Sequence, residues 1–253
     1  MKRALTLTLL LAFGIQISQG QTLEPQHRNT VEAFIKLIKD RNLEVLKTKV
    51  SYPLKREQPL PDVKYPSNFA SRFDNIFDEG FIAKIVASDI DRDWSAMGWR
   101  GLMFDNGQLW LDYDGNLISV NYQSPEEQRM KELLMQDNKA SLHESIRDFQ
   151  EPMVVIETRK FRVRIDKLAD GSFRYASWNV NAPNNAKPDL ILQNGQRHFE
   201  GSGGNHWYGF RSGDFKYEIW INVLGASETP PANLYVYQRE KRIVNHDAQI
   251  VRD

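Results

Sequence analysis

Cysteine is absent from all 253 residues. That absence removes thiol catalysis, redox exchange, iron–sulfur clusters and every Cys-based zinc site, and it leaves no disulfide to staple a fold. Stability must then come from burial, and 41% apolar content over this length supplies one or two cores. An excess of one charge sign is also lacking, with 33 Lys+Arg against 33 Asp+Glu. Nucleic acid and anionic membrane surfaces reward clustered Lys/Arg, so neither is expected as a partner. Beyond residue 20 no apolar run approaches the ~20 residues of a membrane-spanning helix. Metal-ligand spacing is missing too. His27, His143, His198, His206 and His246 form no HExxH and no close pair, so neither a metal nor a cofactor is expected.

What is present begins at the first residue. Lys2 and Arg3 make a basic n-region, Ala4 to Ile17 an apolar h-region, and Ser18-Gln19-Gly20 offers small residues for cleavage before Gln21. Residues 1–20 are therefore predicted to be a signal peptide. The remaining chain is expected in the periplasm, or secreted, with no integral membrane segment after cleavage. Losing Lys2 and Arg3 leaves a slight acidic excess.

The hydrophobic period changes along the chain and predicts an α+β domain over 21–150 and an all-β domain over 151–253. Val31, Phe34, Ile35, Ile38, Val45 and Leu46 recur at helical spacing, with Asn29 or Thr30 as the expected N-cap and a break at Arg41-Asn42. Pro53, Pro59, Pro61 and Pro66 then impose an extended connection. Phe69, Phe73, Ile76, Phe77, Ile82 and Ile85 mark a second helical stretch starting at Ser67 or Asn68. Three strands follow, over 99–104, 108–112 and 117–122, separated by Asp105-Asn106-Gly107 and Asp114-Gly115, residues that tolerate positive φ. Residues 126–149 read as a polar helical connector. Six to eight short strands come after it, with turns at Ala169-Asp170-Gly171, Asn194-Gly195, Ser212-Gly213 and Arg239-Glu240-Lys241, which predicts a sandwich or small barrel.

Among residues suited to chemistry, Ser88 to Asp93 spaces three carboxylates at alternate positions, but Trp94 and Arg100 stand where a calcium loop needs Gly and Glu. Asp112-Tyr113-Asp114-Gly115 fails in the same way, and both read as solvated turn caps. Gly201-Ser202-Gly203-Gly204 fits neither a nucleophile elbow nor a phosphate loop and reads as a connector between strands. Asn205, His206, Trp207 and Tyr208 follow it directly, placing a polar and aromatic set beside a backbone free to protrude. The competing reading makes Trp207 and Phe210 core residues of the strand they begin. The glycines are expected to serve close approach of a partner, with Gly203-Gly204→Ala-Ala leaving thermal stability nearly unchanged. In the first half Trp94, Trp99 and Trp110 cluster near Arg100. They form either a sugar-stacking platform or a sheet core, with Trp94, next to the acidic turn, expected at the surface.

Two resemblances add to this. The element order of the first half resembles an NTF2-like cone, which implies helices on a curved antiparallel meander and a ligand or scaffold role. The Ser202-Gly203 loop resembles the projecting Ser-Gly-x-x-Tyr loop of exported bacterial lysozyme inhibitors, with His206 at the family's tyrosine position. That likeness implies Ser202 bonding a catalytic carboxyl of a target enzyme and Lys216 pairing with another. The expected function is an exported binding or inhibitory protein, an immunity factor against an envelope-directed toxic enzyme. The expected partner is a periplasmic or envelope protein. Its site is expected at Ser202, Gly203, Gly204, Asn205, His206, Trp207, Tyr208, Lys216, Trp94 and Arg100. The alternatives are a hydrolase of envelope glycan or peptide using Asp89, Asp93 or Asp112, and a small-ligand carrier using a conical pocket in the first half.

Overall fold

Proline placement and apolar spacing set out the first half. The computed structural model describes residues 23–251, so the predicted signal peptide lies outside the described residues. Helix α1 (Pro25–Lys39) starts with proline at its first turn, where the missing N–H would have no partner, and buries Val31, Phe34 and Ile38. It starts before Asn29 and Thr30. Thr30 bonds back to Gln26 O at 3.1 Å inside the helix and does not cap it. Asn42 does cap, accepting from Val45 N at 3.3 Å, and opens α2 (Leu43–Leu46).

After the proline connection come α3 (Pro66–Ile76), α4 (Glu79–Val86) and α5 (Ile90–Asp93). Phe73, Phe77 and Phe81 stack in succession at 5.1 and 5.7 Å between centroids, and Phe81 stacks on Tyr122 at 4.1 Å. These rings pack on a four-stranded antiparallel meander of β1 (Trp94–Ala96), β2 (Leu102–Phe104), β3 (Leu109–Leu111) and β4 (Leu117–Val120). The meander has one strand more than predicted, and its second strand starts at Leu102, not at Trp99. Gly98–Arg100 is a 3₁₀ turn, because Gly101 at φ +92° bends the chain where Leu111 O would stand 2.2 Å from any Cβ.

Helix α6 (Pro125–Ser141), capped by Ser124 at 3.1 Å from Glu127 N, and a 3₁₀ turn at Glu144–Ile146 form the connector. Eight antiparallel strands then follow in sequence: β5 (Glu151–Glu157), β6 (Phe161–Lys167), β7 (Phe173–Asn179), β8 (Leu190–Glu200), β9 (Asn205–Ser212), β10 (Phe215–Ile221), β11 (Ala232–Gln238) and β12 (Lys241–Val251). Pairing of β12 with β5 closes them into a barrel, which decides between barrel and sandwich. Asn194-Gly195 does not end a strand. Asn194 at φ +59° makes a bulge inside β8, and Gly195 faces inward where a Cβ would lie 2.1 Å from the Phe210 ring.

Burial follows the same division. One cluster runs from Leu23 to Val120, a second fills the barrel from Val154 to Ala248, and a third joins Leu142, Ile146 and Phe149 to Ala176 and Trp178. The third cluster seats the connector against β7. The architecture is thus α+β: helices on a small meander, then a closed eight-stranded barrel.

Candidate functional site

Strand lengths leave one hairpin overhanging. On the β7 side, pairing with β8 stops at Phe173↔Gly195, yet β8 and β9 remain paired from Gln196↔Gly209 to Glu200↔Asn205. The β8–β9 hairpin therefore runs on past β7, with the 201–204 turn at its tip. The 168–172 and 222–231 connections lie at this same barrel end, while the 213–214 turn is at the other.

The turn is held in one conformation. Asn205 Oδ1 accepts from Val223 N and Leu224 N, both at 2.8 Å, and its Nδ2 donates to Leu224 O at 2.9 Å. The 222–231 connection is thereby clipped to the hairpin tip. A Cβ on Gly203 would come 2.7 Å from Leu224 Cδ1. His206 Nδ1 lies 2.8 Å from Gly204 O, and since a carbonyl only accepts, the proton sits on Nδ1. Burial lowers the His206 pKa below its ordinary value, with Arg197 acting the same way, and so favours the neutral ring, although the bond to Gly204 O acts in the opposite direction.

Around this tip the surface is apolar and aromatic. Trp99 is 67% exposed, Phe199 62%, Val223 58% and Leu224 51%. Arg197 stacks over Phe199 at 4.8 Å, and Arg100 lies over Trp99 at 5.6 Å. Arg100 Nη2 also donates to Ser202 O at 3.3 Å, so a residue of the first half reaches the hairpin tip. Exposed Trp and Arg beside aliphatic side chains are the composition of binding hot spots.

Of the sequence-predicted residues, Ser202, Gly203, Gly204, Asn205, His206 and Arg100 come together here, and four do not. Trp94 is 2% exposed, sits 4.9 Å from the Phe104 ring, and donates its indole N–H to Ser88 Oγ at 3.0 Å; it is a core residue and not a surface platform. Tyr208 points into the barrel, edge-on to Phe173 at 5.1 Å. Trp207 takes the next position on the strand and so the opposite face, stacked between His198 at 4.0 Å and Trp220 at 5.7 Å. Lys216 pairs with Glu218 at 2.8 Å near the 213–214 end, away from Ser202. His198 and His206 likewise face opposite sides, because His198↔Trp207 and Phe199↔His206 are adjacent register positions.

The hydrolase carboxylates are engaged by their own turns. Asp89 Oδ1 accepts from Asp91 N at 2.9 Å, and Asp112 Oδ1 from Asn116 N at 2.8 Å. Asp93 Oδ2 accepts from Asp89 N at 2.8 Å, and hydrogen bonding to Arg92 and then to that backbone N–H holds its pKa below the carboxylate range. Among the described residues, no group of three or more His, Asp or Glu side chains gathers as metal ligands would, and no helix is long and apolar enough to cross a membrane.

Two of the loop's glycines meet a backbone demand. Gly201 and Gly204 sit at φ +65° and +87°. Gly204→Ala should therefore cost about 1–2 kcal/mol, the penalty of a side chain in the left-handed region, where near-neutrality was expected. Thermal denaturation of the single variant checks this, and an unchanged melting temperature would refute it. Phe199, Val223 and Leu224 escape sequence reading for two reasons. The β8 bulge shifts the phase that exposes Phe199. Val223 continues the odd-numbered alternation of β10, although that strand ends at Ile221.

Set beside known proteins, the chain matches no family model, no curated protein and no solved structure.

Proposed function

We propose that this protein is an exported binding protein that inhibits an envelope or periplasmic partner protein, in the manner of an immunity factor. The overhanging β8–β9 hairpin carries this reading. It presents Phe199 beside Val223 and Leu224 on a turn already fixed by Asn205, so little conformational entropy is lost on docking. Trp99 and Arg100 extend the surface from the helical half, whose NTF2-like resemblance fits a scaffold that supports the hairpin. The signal peptide read at residues 1–20 supplies the route to the compartment. The resemblance of Ser202-Gly203 to lysozyme-inhibitor loops supports an enzyme as the target.

The test is photocrosslinking from a benzophenone side chain at position 224, carried out in periplasmic extract and read by mass spectrometry. A single protein adduct is expected. With the crosslinker retained at 224, Phe199→Ser with Trp99→Ala should weaken capture at least tenfold, about 1.4 kcal/mol. Lys216→Ala, near the opposite barrel end, should leave it intact. Equal capture by the double variant, or equal adducts from a probe at position 241, would remove the hairpin from the site. Inhibition is then read directly, as loss of the captured enzyme's turnover on adding one equivalent of the protein.

A further inference from the structure

Eight strands enclose an interior just wide enough for side chains or for one small ligand. At the hairpin end this barrel is filled by Tyr208, Phe173 and Ile219, and Phe210 occupies the space opened at Gly195. At the 213–214 end the filling stops. A cavity of about 330 Å³ opens there between Tyr175, Leu190, Tyr217, Leu234, Val236 and Val244. Phe161 and Ile243 stand at its mouth, 37% and 48% exposed, apolar groups left facing water at a barrel opening.

From this geometry we infer that the barrel mouth is a binding site for one small, neutral, largely apolar molecule, with a hydrogen-bonding group placed toward the Tyr175 and Tyr217 hydroxyls. Three observations define the ligand. The wall is almost wholly carbon, so an apolar body is rewarded by burial. No lysine or arginine lines the cavity, so an anionic ligand would meet no counter-charge, and its one carboxylate, Asp189, is exposed to solvent at the edge and bonded to Asn179 N at 3.1 Å, so the interior itself carries no charge. Tyr175 and Tyr217 stand 5.6 Å apart ring to ring, offering two phenols as the polar points within an apolar space. Burial pushes the Tyr175 pKa up to about 12 and raises that of Tyr217, so both hydroxyls keep their protons and can donate. A further polar atom is left over nearby. His246 stacks on Phe161 and pairs in register with Leu234, both cavity residues, and its Nδ1 is shut from solvent with no protein partner.

The test uses the neutral fluorophore N-phenyl-1-naphthylamine with the whole protein. One saturable site with a blue-shifted emission is expected. In wild-type protein, amide and methyl NMR shifts should concentrate at Tyr175, Ser177, Leu190, Tyr217, Leu234 and Val236. Val236→Phe, which fills the cavity, should weaken binding at least tenfold, while Leu224→Asp at the far end should leave it unchanged. That contrast separates this site from the hairpin surface. No saturable binding, shifts centred on Phe199 and Leu224, or unaltered affinity in a folded Val236→Phe would each overturn the inference. If Val236→Phe does not fold, the wild-type shift map decides alone.

Discussion

Asp166→Ala should unfold this protein more readily than any single surface change, lowering stability by about 3–5 kcal/mol. Asp166 is fully buried, and its two oxygens accept from Arg164 Nε and Arg174 Nη2, each at 2.7 Å. Both arginines are themselves buried, at 5% and 3% exposure. Removing the carboxylate leaves two guanidinium groups facing each other's charge with water excluded. Neither side chain is free to swing out. Arg174 donates to Ile146 O at 2.6 Å and Asp148 O at 2.8 Å, and Arg164 to Asn138 Oδ1 at 2.7 Å. The triad therefore ties the connector and α6 to the barrel wall, and its loss should loosen that seam together with the barrel. A fall in melting temperature on the order of 10 °C is expected, at roughly 2–4 °C per kcal/mol for a chain of this size. Asp166→Asn keeps an acceptor but no charge and should fall between the two. A loss below about 1 kcal/mol for Asp166→Ala would show that the pair contributes no more than an exposed ion pair.

Glu127→Ala should have a comparable effect in the helical half, also about 3–5 kcal/mol. Glu127 is fully buried in the first turn of α6 and accepts from Arg56 Nε at 3.0 Å, with a second bond from Arg56 Nη2. Arg72 Nη2 reaches the same carboxylate at 3.5 Å. Burial already lowers the Arg72 pKa, and Glu127 is the leading influence opposing that shift. Arg56 also donates to Tyr122 O at 2.6 Å and to Val120 O, so it joins the proline-broken segment to the end of β4. Loss of Glu127 thus removes the shared counter-charge of two guanidinium groups and slackens the junction where α6 leaves the meander. Arg56→Met combined with Glu127→Met should lose less than Glu127→Ala alone, because the fully buried pair is then removed together and only Arg72, at the less buried edge of the site, loses its partner. Urea unfolding of the three chains checks this order, and a double variant weaker than the single one would mean that the carbonyl contacts dominate.

Local chemistry was legible in the sequence. Positive-φ residues stood where turns were read, at Asn106, Gly107, Gly115, Gly171, Gly213 and Arg239, because a turn's demand on φ is met by the residue itself. The helix after Pro66 and the alternation of the barrel strands were readable for the same reason: each period reports one buried face of one element. Absence of cysteine, balanced charge and the two regimes of periodicity likewise needed only composition and order. The tertiary structure alone decided that the β strands close into a barrel, since closure depends on β12 meeting β5 across nearly a hundred residues. It also decided that Trp94 is core while Trp99 is exposed, because the chain leaves β1 through a turn at Gly98, at φ +59°, that lies between them. Arg100 reaching Ser202, and Asn205 pinning Val223 and Leu224, are meetings between distant segments that leave no local pattern. The barrel-mouth cavity is of the same kind. Its residues read as ordinary alternating strand positions, and only the way eight inner faces fill a fixed interior determines where space remains.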